Sequence, residues 1–123
     1  MYEIEADVGH NRLYATLGGT FDADEAAASA ERTIEEAGRL DAGFDVVTDI
    51  RDLEASPQEA KEHLQRSKTF LAAHDVATVV RVVGDSPLAE MQFDRTGDQA
   101  YEVETAETVE EAEGILNDSD DEK

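Results

Sequence analysis

Two serines stand where a reactive hydroxyl could be placed. Ser56 precedes Pro57, and Ser86 follows Gly84 and Asp85 and precedes Pro87. A serine nucleophile needs a base aimed at its hydroxyl. The chain has three histidines, and the last, His74, precedes Ser86. His63 and His74 lie eleven residues apart on one predicted helix face, too far to share a metal, and no histidine pair has i, i+4 spacing. His10 is a turn residue. Glu59 and His63 are at i, i+4, which predicts a surface pair. The chain has no cysteine, so thiolate catalysis and zinc-finger sites are excluded. The 31 carboxylates are too many to nominate an acid–base pair. No P-loop, dinucleotide fingerprint or nucleophile elbow is present. The residues thus predict no enzyme: no catalytic group, no metal and no cofactor.

Both serines have a structural role to fill. Ser56 at an N-cap, Pro57 at the first helical position and Glu59 at the third form a capping box. Ser86 with Pro87 reads as a second cap. The stretch from Phe44 to Leu71 then becomes one strand (FDVVTDI), a short connection and one long helix. Upstream, Tyr2, Ile4, Ala6 and Val8 alternate with acidic residues, and Leu13, Ala15 and Leu17 alternate with Arg12, Tyr14 and Thr16. With Gly9, His10 and Asn11 between them these runs predict a hairpin. Asp22 or Asp24 caps a helix carrying Ala26, Ala30, Ile34 and Ala37 on one face. VATVVRVV is the most continuous apolar run and predicts a central strand. A short Pro87-led helix, an edge strand around Tyr101 to Thr105, and a last helix capped by Thr108 complete the chain. The order is β-β-α-β-α-β-α-β-α, an α/β fold with a mostly parallel sheet and an antiparallel first strand. Right-handed crossovers with strands in chain order predict all helices on one face and the other face open.

Charge is the other strong signal. Thirty-one acidic residues face ten basic ones, a net charge of −21. The apolar periods argue against a disordered acidic chain. The composition instead predicts a folded domain adapted to molar salt, where the Debye length is about 3 Å. Seven scattered arginines make no phosphate-binding patch, so nucleic acid is not the expected partner. No apolar run approaches the ~20 residues of a membrane span. The acidic, alternating start is unlike a signal peptide, which predicts a cytoplasmic protein. Residues 1–117 are expected to form the single domain, and residues 118–123 an acidic disordered tail.

The segments DIRDLEASPQEAKEHL, RVVGDSPLAEM and TVEEAEGIL resemble the SpoIIAA-like (STAS/SEC14-like) family of the STAS superfamily. The resemblance runs from Tyr2 to about Leu116. It implies a STAS/SpoIIAA-like fold and a non-enzymatic domain that binds a protein partner or a small apolar ligand. Phosphorylatable members of the superfamily carry Asp-Ser-Ser-Gly at the start of the central helix, where this chain reads EASPQ. Ser56 is present, so it is the candidate phosphoacceptor, but the second serine and the glycine are absent. Gly84-Asp85-Ser86 resembles the nucleophile block of an esterase superfamily that takes its histidine from near the C-terminus, which this chain lacks. A small serine hydrolase using Ser86, or a homo-oligomer with no ligand, are the alternatives.

The working edge is predicted at the carboxyl ends of the parallel strands. It gathers Gly18, Gly19, Arg51, Asp52, Ser56, Gly84, Asp85 and Ser86, and the N-termini of the second and third helices, begun at Ser56 and Ser86, point there and favour anions. Alternation also predicts Tyr14, Val47, Val79 and Val83 on the open face, an apolar centre rimmed by acids and so a candidate homodimer face.

Overall fold

The computed structural model describes residues 2–19, 22–53, 58–83 and 102–121. Strand β1 (Tyr2–Asp7) and strand β2 (Arg12–Gly19) form the predicted antiparallel hairpin. Its turn is a single 3-10 turn, Val8–His10. The Asp7 carboxylate accepts the His10 N–H, and Asn11 takes the left-handed conformation at φ 52°. Helix α1 (Ala23–Ala37) follows, then β3 (Asp45–Leu53), α2 (Gln58–Ala73), β4 (Thr78–Val82), β5 (Glu102–Ala106) and α3 (Val109–Asp121). The helix expected around Pro87 lies outside the described residues. Helix α3 carries the backbone on past Asn117 into the acidic run.

The strands stand in the order β1-β2-β3-β4-β5, and every pair after the hairpin is parallel. All five residues of β4 are buried, as a central strand covered on both faces should be.

Helices α1 and α2 pack on one face. There Ala37, Leu40, Leu71 and Val76 enclose Ile4, Leu13, Ala15, Val46 and Val79. Helix α3 packs on the opposite face, where Ala112 and Leu116 enclose Val47, Val80, Val82 and Ala106. The expectation of one open face is therefore corrected. Handedness fixes the side of a helix that joins two parallel strands, as α1 and α2 do. Helix α3 follows the last strand and joins nothing, so that rule leaves it free to cover the other face.

Strand β1 lies at an edge of the sheet, with backbone groups turned away from β2. Two of these are met by α1. The Ala6 N–H donates to Glu36 Oε1 at 3.1 Å, and Arg32 Nε donates to the Ile4 carbonyl at 3.3 Å. Glu36 is held in turn by Arg32 (3.4 Å) and Arg39 (3.2 Å). The edge is thus guarded by an ionic cluster, one of the ways folds prevent strand-to-strand association.

Candidate functional site

The carboxyl edge is built around a departure from regular pairing. Thr16 pairs with Asp49, but Gly18 pairs with Asp52 and Gly19 with Leu53. Over that interval β2 advances two residues and β3 three. The extra residue makes a bulge in β3, a feature that re-aims side chains and clusters near functional sites. Gly19 has φ +73°, a conformation that L side chains rarely adopt.

Arg51 and Asp52 are exposed here. Arg51 turns back onto Asp49 in a two-pronged ion pair, with Nη2 to Oδ2 at 2.8 Å and Nε to Oδ1 at 3.0 Å. Its backbone N–H donates to the same carboxylate at 3.2 Å. Burial alone would raise the Asp49 pKa. The hydrogen bonds and charge of Arg51 outweigh that burial and hold it below the usual carboxylate value. The Arg51 pKa is raised, first by the Asp49 hydrogen bond and then by its charge, with smaller contributions from Asp52 and Glu110. Glu110 belongs to the first turn of α3.

Two helix starts at this edge are already occupied. Asp22 Oδ1 accepts the Glu25 N–H at 2.8 Å, which makes Asp22 the cap of α1. Thr108 Oγ1 accepts the Glu111 N–H at 3.1 Å. The first turns beyond them carry Asp24, Glu25, Glu110 and Glu111. With Asp52 these acids give the described edge a negative surface, and the caps of the two helices expected to favour anions lie outside the described residues. Gly19, Arg51 and Asp52 are brought together by the β2–β3 pairing. Ser56, Gly84, Asp85 and Ser86 lie outside the described residues.

The candidate dimer face is not a face. Val47 pairs with Val80, and Val46 with Val79, so Val47 and Val79 point to opposite sides of the sheet. Val79 is 5% exposed beneath α1 and α2, and Val47 is 1% exposed beneath α3. Val83 is buried, and its N–H donates to the Ala106 carbonyl. Tyr14 lies on the Val47 side and ties α3 down, donating to Glu113 Oε1 at 3.1 Å. Arg12 spans the same junction, donating to Tyr14 Oη at 3.4 Å and to Asn117 Oδ1 at 3.2 Å. Among the described residues no cluster of histidine and carboxylate side chains could hold a metal. None of their helices is long and apolar enough to cross a membrane.

Sequence reasoning missed three buried cations: Arg12, Lys68 and Arg81. Arg81 carried a signal, because it interrupts an otherwise continuous apolar run. A residue inside a strand covered on both faces must be buried whichever way it points.

No protein-family model matches the chain, and no curated protein does. Among solved structures, the anti-sigma factor antagonist SpoIIAA in its unphosphorylated form is similar, with a TM-score of 0.61 at 15% identity. The match covers 95% of this chain and 98% of that one. The two share a fold, so the chain has the SpoIIAA-like STAS architecture.

Proposed function

We propose that this chain is a non-enzymatic regulatory module that binds a protein partner through the carboxyl edge of its sheet. The observation that carries the reading is a fold shared with an anti-sigma factor antagonist over nearly the whole of both chains. Open α/β sheets receive ligands at this edge. Here it also carries the β3 bulge and the exposed Arg51 and Asp52. Ser56, Gly84, Asp85 and Ser86, expected at this edge from the sequence alone, are kept as part of the proposal. The acids of the first turns of α1 and α3 call for a partner with a lysine- or arginine-bearing surface. The acidic composition supports a cytoplasmic setting of molar salt, where such a contact is screened and must be held by shape and apolar area as well as charge.

The test is site-specific photo-crosslinking in a native extract kept at high KCl. A crosslinker at position 52 should capture a defined protein. The same probe at Asp41, on the opposite edge of the sheet, should not. Equal capture at both positions, or none at position 52, would remove the carboxyl edge as the binding surface.

A further inference from the structure

Asp52 stands where a regular strand would not put it. Alternate residues of a strand share a face, so Asp49 and Asp52, three apart, belong on opposite sides of the sheet. The bulge changes this. Asp49 pairs with Thr16 and Asp52 with Gly18. Thr16 and Gly18 are two apart on β2, which puts Asp49 and Asp52 on one side. Asp49 also pairs with Val82, so that side is the one covered by α3. The charges of Asp52 and of Glu110, in the first turn of α3, both reach Arg51, in agreement with that placement. Without the extra residue Gly18 would pair with Arg51. Asp52 would then turn to the α1–α2 side, because a shift of one residue reverses every side chain beyond it.

The side chain placed to hold the bulge is Asp49. Its Oδ1 accepts the Arg51 N–H, two residues on, at 3.2 Å. An aspartate bonded in this way makes a local turn and offers the backbone an alternative to the ladder. The same oxygen accepts Arg51 Nε at 3.0 Å, and Oδ2 accepts Nη2 at 2.8 Å. The guanidinium thus fixes the carboxylate where it reaches the N–H. The Asp49 side chain is 14% exposed, against 41% for Arg51. It offers a partner little surface and acts through its neighbours.

We propose that Asp49 is a positioning residue of the carboxyl edge: its side-chain oxygen holds the β3 bulge, and the bulge turns Asp52 to the α3 side, where a basic partner meets it together with the start of α3. The inference rests on the reading of this edge as the binding surface. It adds the side from which the partner approaches and the residue that fixes that side.

The test compares Asp49→Asn with Asp49→Ala. Both remove the charge, but asparagine keeps an oxygen that can accept the Arg51 N–H. Register is read by NMR, from the cross-strand contact of Gly18 with Asp52. Binding is read by capture of a defined protein at high KCl with the crosslinker at position 52. Asp49→Asn should keep the contact, with capture within about twofold of the wild type. Asp49→Ala should lose the contact and capture at least tenfold less, while still melting cooperatively. Asp49→Leu keeps the volume without an acceptor, takes the place of alanine if that chain does not fold, and should behave as alanine does. A Gly18–Asp52 contact that survives without the acceptor overturns the proposal, and so does an equal loss in the asparagine variant. Unchanged capture after the contact is lost overturns it too, but leaves the edge as the binding surface. No capture at position 52 in the wild type removes that reading, and this inference falls with it.

Discussion

At the scale of single residues, the Asp49–Arg51 pair makes the sharpest claim. Burial and ion pairing act on Asp49 in opposite senses, and the pairing wins. Removing Arg51 should therefore reverse the sign of the shift. In Arg51→Ala the Asp49 carboxyl is expected to titrate above its ordinary value, where the wild type titrates below it. A carboxylate with a depressed folded-state pKa contributes stability that is present above its unfolded value of about 4. That contribution is lost as pH falls through the folded value. The variant should accordingly be less stable at neutral pH, and the difference should close in acid. An NMR titration of the Asp49 side-chain carbon, with melting followed at each pH, checks both statements. A low Asp49 pKa that survives in Arg51→Ala would contradict the assignment. Tyr14 offers a second case. Its pKa is raised, first by burial and further by Glu113, against the opposing effect of Arg12. Glu113→Gln should lower the phenol pKa, read by ultraviolet titration, because it removes a negative neighbour that disfavours phenolate.

At the scale of elements, the sequence was legible wherever one local rule sufficed. The hairpin followed from two alternating runs around Gly9-His10-Asn11. The cap at Thr108 followed from side-chain type and spacing, and of the two candidates Asp22 and Asp24 the structure uses Asp22. The parallel order followed from alternating strand and helix signals. Two things were not legible. VATVVRVV has no alternation, so the side to which each valine points is undetermined from sequence, and a one-residue error moves every side chain to the other face. That error put Val79 beside Val47. The side taken by α3 was hidden too, because no crossover constrains it. The bulge at Arg51 left no mark in residue types, and so the geometry of the candidate edge needed coordinates. The cover provided by α3 is testable. Leu116 is fully buried and packs against Val47, Val80 and Val82. Leu116→Ala should cost about 2–5 kcal/mol. Tyr14→Phe, which removes a hydrogen bond at the same junction, should cost about 0.5–1.5 kcal/mol. Denaturant unfolding measures both. Should Leu116→Ala cost no more than Tyr14→Phe, α3 would be a loosely held cover rather than part of the core.

At the scale of the whole molecule, charge decides under what conditions the fold persists. The chain carries −21, and burial does not reduce the excess at the surface. Among the described residues Arg12, Lys68 and Arg81 are buried, and so are the acids Glu36 and Asp45. Of the exposed arginines among the described residues, Arg32 and Arg39 are engaged with Glu36, Arg51 with Asp49, and Arg66 donates to the Ala27 carbonyl. Each of these ion pairs ties a cation to a largely buried carboxylate, so local pairing does not offset the long-range repulsion among the exposed acids. Self-repulsion destabilises a compact state and weakens as the Debye length shrinks from about 30 Å at 0.01 M salt to about 3 Å at 1 M. The melting temperature is therefore expected to climb steeply with KCl from low to molar concentration. Sucrose strengthens burial without screening charge, so it separates the two causes. If screening is the cause, KCl should stabilise far more than sucrose at low ionic strength, and sucrose should still act once salt is molar. A melting temperature indifferent to KCl would mean that repulsion is not what the fold has to overcome. The acids would then be explained by the basic partner proposed for the carboxyl edge, and the affinity for that partner should fall as salt rises.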